Sequence, residues 1–176
     1  MIQFIGALIS GLNLGSIYAL IALGYTMVYG IAKMLNFAHG DIIMVGAYSV
    51  IVSAVTLKLP PVVAILIAVV VCAALGVTIE FLAYRPLRQS PPLAVLITAI
   101  GVSYLLQNLA LLIFGPEQKS TPALFDLPSL TLGGVTVDGI TLLTLGVTAA
   151  IMVGLTLFIN LTRMGKAMRA VSEDRD

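Results

Sequence analysis

The residues of this chain best suited to chemistry form a short segment in which Asn36 precedes His39 and Asp41. His39 is the single histidine, and Gly40 separates it from the acid. An imidazole close to a carboxylate can transfer protons as a general acid and base. The segment has no nucleophile, metal-ligand cluster or second base at a recognisable spacing. Catalysis by His39 and Asp41 is therefore the weaker interpretation.

Two other interpretations follow from the position of the segment between strongly apolar stretches. In the first, Gly40 breaks a helix near membrane depth, and Asn36, His39 and Asp41 partner the freed backbone groups along a polar pathway. In the second, the segment is an interfacial loop, and Asp41 is the N-cap of a helix that starts at Ile42. The residue pattern leaves both open.

Composition identifies the surroundings of this segment as a membrane. Of the 176 residues, 60% are hydrophobic and only 10% are charged, and the mean hydropathy is +1.11. A soluble domain would carry about 25% charged residues. The net charge of +1 gives no indication of an acidic or nucleic-acid partner. The lone Cys72 lies in an apolar run, so neither a disulfide framework nor a cysteine-based metal site is expected.

Apolar runs predict an all-α polytopic membrane protein with about five transmembrane helices. The first run is longer than one span requires, and the second, with sixteen residues, is shorter than the usual 20 or so. We therefore expect a helix break or re-entrant element near 33–41, and a second helix that begins before Asp41. The runs are Met1–Ala32, Ile42–Leu57, Pro61–Ile79, Pro91–Phe114 and Gly139–Leu161.

Three features within and between these runs predict local structure. Gly11, Gly15 and Ala19 recur every four residues, which predicts a stripe where another helix packs closely. The amides of Gln107 and Asn108 are expected to face protein rather than lipid. The connection after the fourth run is rich in proline and glycine, and a short hairpin is expected around 132–137.

Basic residues are distributed asymmetrically between the connections. Alternating spans place seven of the nine on one side and two, Lys58 and Lys119, on the other. The positive-inside rule then predicts that the C-terminal segment faces the cytoplasm, whereas Gly115–Asp138 and the N-terminus face outward. The seven are Lys33, Arg85, Arg88, Arg163, Lys166, Arg169 and Arg175.

The C-terminal segment predicts an amphipathic helix. Met164, Ala167, Met168 and Val171 share one stripe at helical spacing, and the charges of Lys166, Arg169 and Glu173 fall outside it. Such a helix either lies on lipid headgroups or inserts into a groove of a partner protein.

The Asn36–Asp41 segment and the C-terminal segment resemble those of the permease of bacterial branched-chain amino acid ABC transporters, the LivH type. The resemblance covers most of the chain. It is most specific in the first, second and last of the matching stretches. These are Gly15–Gly30, Asn36–Asp41 with Gly46–Tyr48, Tyr84–Arg88, Ile97–Asn108, and Arg163–Asp174.

The resemblance implies a transport subunit in the bacterial inner membrane that is not an enzyme and holds no cofactor. Its partners would be a second permease subunit, two cytoplasmic ATPase subunits that bind ATP, and an extracytoplasmic substrate-binding protein. No phosphate-binding Gly-x-x-x-x-Gly-Lys-Ser/Thr motif occurs in this chain. The resemblance also marks Asn36, His39, Gly40 and Asp41 as a family signature, without assigning their chemistry.

The resemblance further divides the chain into a membrane region, 1–162, and the start of a cytoplasmic ATPase-docking loop, 163–176. Permeases of this family continue through further spans after that loop, so the loop is expected to be incomplete here. The residues that match it, together with Met168 from the stripe, are Gly165, Ala167, Met168, Arg169, Ala170, Glu173 and Asp174.

The residue pattern leaves alternatives to branched-chain amino acid import open. Permeases for urea and short-chain amides are close relatives, and nothing in the residue pattern separates these substrates. A passive channel would show flux independent of ATP. A membrane-embedded enzyme would act through His39 and Asp41 without an ATPase partner.

Overall fold

The computed structural model describes residues 2–32, 35–119, 124–132 and 135–173. Five helices in these ranges are long and apolar enough to cross a membrane, which confirms the all-α prediction. They are α1 (Ile2–Ala32), α2 (His39–Ile51), α3 (Pro61–Ile79), α4 (Pro92–Phe114) and α5 (Gly139–Leu161), and α6 (Arg163–Glu173) follows them.

The second and third helices each end in a wider π-helical turn. α2 passes into Val52–Thr56, so its apolar helical length reaches 18 residues from His39 to Thr56. α3 passes into Glu80–Tyr84 and then into a 3-10 turn at Arg85–Leu87. The second span therefore begins before Asp41, as the length of its apolar run predicts.

The helix ends follow from local residue chemistry. Pro61 and Pro92 occupy the first position of α3 and α4, where a missing N–H costs nothing. Gly115 ends α4 with a φ of 78°, a left-handed conformation that favours glycine, and its N–H donates to Leu111 O at 2.9 Å.

The chain divides into two compact units. The first unit, Met1–Lys33 with Phe125–Asp176, contains α1, α5, α6 and the predicted hairpin. That hairpin is confirmed as two antiparallel strands, β1 (Leu130–Leu132) and β2 (Val135–Val137), with Leu130 opposite Val137. β2 packs against α1, and Val137 is buried. α1 also packs along α5, where Asn13 Nδ2 donates to Thr141 Oγ1 at 3.5 Å.

The second unit, Met34–Leu124, contains α2, α3 and α4. α2 and α3 approach closely, since a Cβ built on Gly46 would lie 2.8 Å from Cys72 Sγ. The buried apolar cluster of this unit comprises Ala38, Ile79, Tyr84, Val95, Ala99 and Leu106. Cys72 therefore packs between helices, and the connection before α2 belongs to the core.

Apolar side chains cover the outside of the spans. Leu112 is 81% exposed, Val77 69% and Val70 66%, each in the middle or at the end of a long helix. Exposure on this scale would make a soluble protein aggregate, but it suits helices whose outer faces contact acyl chains.

Candidate functional site

Asn36 organises the connection that precedes α2. Its Oδ1 accepts hydrogen bonds from the Ala38 N–H at 3.1 Å and from the Tyr84 hydroxyl at 2.8 Å. Its carbonyl accepts from the His39 N–H at 3.2 Å. An asparagine that bonds the backbone two residues on forms a turn of its own. Asn36 thus closes the turn into α2 and attaches it to the end of the third span.

Asp41 occupies the first turn of α2 and is 8% exposed. The prediction that it is the N-cap is wrong: Ala38 holds that position without a side-chain cap, because the helix begins at His39. A carboxylate in the first turn is still stabilised by the positive end of the helix dipole. Because the Asp41 side chain does not cap its own helix, it can accept hydrogen bonds from another helix.

The partners of Asp41 lie on α4. Ser103 Oγ donates to Asp41 Oδ2 at 2.5 Å, and Gln107 Nε2 donates to Asp41 Oδ1 at 3.1 Å. Gln107 Nε2 also lies 3.1 Å from Ser103 Oγ, as two residues four apart on one helix face allow. We call these three residues the Asp41 cluster. It satisfies both carboxyl oxygens of an acid in an apolar surrounding.

The structure separates the members of the segment that the sequence groups together. Gly40 lies inside α2 and has no positive φ, so the break in helical structure comes earlier, at 35–38. His39 is half-buried and Gly40 exposed. Residues two apart on a helix point to different sides, so His39 and Asp41 do not share a face. This geometry gives no support to an acid–base pair.

Sequence reasoning missed two members of this network, Ser103 and Tyr84. Ser103 could have been found from its position four residues before Gln107 in an apolar run. Both amides are exposed within the second unit, and they differ in their partners. The Gln107 amide reaches Asp41 on another helix, as expected, whereas the Asn108 amide donates to Tyr104 O of its own helix at 2.7 Å.

The corner between α5 and α6 is built around Thr162 and Gly165. Thr162 Oγ1 accepts from the Gly165 N–H at 3.0 Å, and Thr162 O accepts from the Lys166 N–H at 3.1 Å, which caps α6. Gly165 is buried against α5, where an added Cβ would lie 2.3 Å from Ile159 O. A glycine is therefore needed at this close approach.

Arg169 strengthens the same corner. Its guanidinium donates to Ile159 O at 3.1 Å and to Asn160 Oδ1 at 2.8 Å, so it satisfies acceptors at the C-terminal end of α5. Met168 is half-buried and lines a cavity with Leu23 and Met27 of α1. The side chains of Arg169 and Met168 therefore contact other residues of the first unit.

The outward face of α6 is formed by different residues. Met164 is 62% exposed, and Ala167 and Ala170 are exposed. The predicted stripe is thus divided, with Met168 turned inward and Met164 and Ala167 outward. Asp174 and the side chains of Val171 and Glu173 lie outside the described residues. The docking role of this segment stays a prediction.

Gly11 and Gly15 lie on an exposed face of α1. Among the described residues, no atom counted as a neighbour comes within 4 Å of a Cβ built at either position, and Ala19 is half-buried. Close packing of a helix on this stripe stays a prediction. In the same described ranges, no three His, Cys, Asp or Glu side chains come together as a metal site requires.

Comparisons with known proteins agree with a membrane transport subunit. Residues 7–176 match the family model described as branched-chain amino acid transport system / permease component. The chain is 41% identical over 98% of its length to the high-affinity branched-chain amino acid transport system permease protein BraD of Pseudomonas aeruginosa. It is 39% identical, again over 98% of its length, to the corresponding permease protein LivH of Salmonella typhimurium and of Escherichia coli.

The chain spans 60% of the length of each of these relatives. No solved structure matches it. The five membrane-length helices and the family match over 7–176 lead to one conclusion. The chain belongs to the family of permease components of branched-chain amino acid transport systems, and it is a multi-pass membrane protein.

Proposed function

We propose that this chain forms part of the translocation path of an ABC importer for branched-chain amino acids. The observation that carries the proposal is the 39–41% identity, over 98% of the chain, to permeases of that transport system. The chain spans 60% of the length of those relatives, so the proposal is tested on a full-length permease.

The proposed partners are a second permease subunit, two cytoplasmic ATPase subunits and an extracytoplasmic substrate-binding protein, all at the bacterial inner membrane. The ATPase subunits bind ATP, and this chain supplies no catalytic group. The positive-inside distribution supports a cytoplasmic position for Arg163–Glu173 and an outward position for the connection after α4.

The Asp41 cluster is the proposed polar part of the path. An acid, a hydroxyl and an amide in apolar spans are costly to keep in a membrane, and such groups are usually found facing a pathway or a helix interior. Asn36 has a supporting role in this proposal, because its side chain holds the turn before α2 through Tyr84 and Ala38. His39 and Gly40 are the first two residues of α2 and are included in the proposed path region.

A labelling experiment tests the path role. Ser103→Cys, in a full-length permease with Cys72→Ser, is expected to react with a membrane-impermeant thiol reagent in at least one nucleotide state of the assembled transporter. Thr78→Cys is the matched control, since its exposed hydroxyl, within the part of the chain that the structure describes, bonds only Ala74 O of its own helix. If Ser103→Cys resists the reagent in every state, the cluster does not line the path.

The outward face of α6 is the proposed docking surface for an ATPase subunit. Ala167 and Ala170 are small and exposed on a helix fixed at its base by Thr162, Gly165 and Arg169. A short helix held rigidly at one end transmits movement, and its small side chains permit close approach of a partner.

Ala167→Tyr tests this surface. The added ring is expected to reduce coupled leucine uptake by at least tenfold while ATP hydrolysis and subunit levels persist. Lys166→Tyr, one residue away on the side of α6, is the matched control and should change uptake by less than twofold. Arg169 is unsuited to the test, because its reversal would also break the bonds to α5.

Substrate class is tested by uptake into proteoliposomes that contain the complete transporter and its binding protein. ATP-dependent uptake of leucine, isoleucine and valine is expected. Uptake of urea or acetamide in place of these amino acids would indicate a permease for urea or short-chain amides. Uptake without ATP would indicate a channel.

A further inference from the structure

A cavity in the α2–α4 unit lies beside the connection that follows α4. Its volume is about 430 Å³, within the range of about 300–1,000 Å³ typical of small-molecule sites. Its wall is mainly apolar on the helices and polar at the connection. The lining residues used below are Met44, Ala47, Ile51, Gln107, Glu117 and Lys119.

Two opposite charges line this cavity. Glu117 and Lys119 are exposed, and the single salt bridge among the described residues joins Arg88 to Glu80. Neither Glu117 nor Lys119 has a hydrogen bond or an ion pair within those ranges. The two charges are thus available to a ligand that carries one charge of each sign.

The connection is held over the cavity by rigid features. Gly115 turns the chain with its φ of 78°. Tyr48 of α2 stacks on Phe114, the last residue of α4, with ring centroids 4.0 Å apart and an interplanar angle of 7°. A stacked pair at this position fixes the end of α4 against α2, and so places residues 117–119 at the cavity.

The cavity also adjoins the Asp41 cluster. Gln107 lines it and donates from Nε2 to Asp41 Oδ1 at 3.1 Å. A ligand in the cavity would therefore contact a side chain that is hydrogen-bonded to the buried Asp41. This connection makes the cavity a candidate step on the way to the proposed path.

We propose that the cavity is a subsite for a free zwitterionic amino acid with an aliphatic side chain. The Glu117 carboxylate faces the ammonium group, the Lys119 ammonium faces the carboxylate, and Met44, Ala47 and Ile51 enclose the side chain. This inference rests on the proposed function and adds to it a binding position in the permease itself. A lipid with a zwitterionic headgroup carries similar chemistry, so the experiment separates the two.

The experiment uses the complete transporter in nanodiscs, with Cys72→Ser and a reporter Ala47→Cys in the permease. Leucine is expected to slow maleimide labelling of the reporter in a saturable manner. Isoamylamine, which lacks the carboxylate, and 4-methylpentanoate, which lacks the ammonium, should protect at least tenfold less well. A hydrogen bond to a charged group supports a difference of about tenfold.

Glu117→Gln and Lys119→Gln are each expected to raise the half-protecting leucine concentration about tenfold. Lys58→Gln and Asp126→Asn remove the same charges from other exposed positions and should leave it unchanged. Labelling of each variant without leucine checks that the cavity is intact. A second reporter, Gln89→Cys, should show no protection.

Three results would overturn the inference. The first is an absence of protection at leucine concentrations that saturate uptake. The second is equal protection by isoamylamine, and the third is protection that depends on phosphatidylethanolamine content rather than on leucine. If the unmodified transporter imports leucine in the same preparation, these results remove only the subsite. If it imports none, the proposed function itself fails.

Discussion

Ser103 Oγ donates a hydrogen bond of 2.5 Å to Asp41 Oδ2, across 62 residues of sequence. The bond joins the first turn of α2 to the middle of α4 and fixes the rotation of the two helices about their axes. Together with Gln107, it satisfies an acid that would otherwise be buried without partners. A buried carboxyl group without donors is strongly unfavourable, so this relationship has consequences for stability.

Ser103→Ala should destabilise the protein. The substitution removes one of the two side-chain donors to Asp41 and leaves Oδ2 without a side-chain donor among the described residues, at a cost of about 1.5 kcal/mol or more. The measurement is thermal unfolding of the full-length permease in detergent. Ser49→Ala is the control, because that hydroxyl bonds Val45 O of its own helix at 2.8 Å and should matter little. Equal melting temperatures for the two variants would contradict the prediction.

Tyr84→Phe should loosen the turn before α2. The lost hydroxyl donates to Asn36 Oδ1 at 2.8 Å, and Tyr84 is 8% exposed, so we expect a loss of about 1 kcal/mol. Asn36→Ala removes the same bond from the other side. A double-mutant cycle should therefore show that the two effects are not additive. Additive losses would mean that the hydrogen bond between Tyr84 and Asn36 makes no contribution to the free energy of unfolding.

Gly165→Ala should disrupt the corner between α5 and α6. The new methyl group would lie 2.3 Å from Ile159 O, so α6 must move away from the end of α5. Leucine uptake should fall at least tenfold and trypsin should cleave after Lys166 more rapidly. Gly154→Ala is the matched control, since a Cβ built there meets no counted neighbour within 4 Å among the described residues and alanine favours the helix by roughly 1 kcal/mol. Uptake retained by Gly165→Ala would show that the corner tolerates this shift.

Thr148→Val should be neutral or stabilising. The Thr148 hydroxyl is buried at 4% exposure on α5 and has no hydrogen-bond partner among the described residues. Replacing it with a methyl group of similar shape removes an unsatisfied polar atom, a change worth up to about 1 kcal/mol. Thr141→Val, which removes the acceptor of Asn13 Nδ2, should instead destabilise. A lower melting temperature for Thr148→Val would indicate a partner for that hydroxyl outside the described part of the chain.

Sequence alone determined the class of protein and the extent of its spans. Hydropathy and charge are summed along the chain, so they predict five membrane helices and their approximate limits without any knowledge of packing. The prolines and glycines of the connection after α4 predict the hairpin in the same local way. The residue types of the Asn36–Asp41 segment and of Arg163–Asp174 also identified the family. The length of the second apolar run correctly predicted that the second span begins before Asp41.

Only the tertiary structure decided which polar groups meet. Asp41 lies 62 residues from Ser103 and 66 from Gln107, and Asn36 lies 48 residues from Tyr84, so no local pattern reports these pairs. The helix start at His39 displaced Asp41 from the N-cap. Packing of α6 on α1 and α5 turned Met168 inward and brought the Arg169 guanidinium to the end of α5. Helical periodicity predicts which residues share a face, but the face that becomes buried depends on which neighbouring helix approaches it.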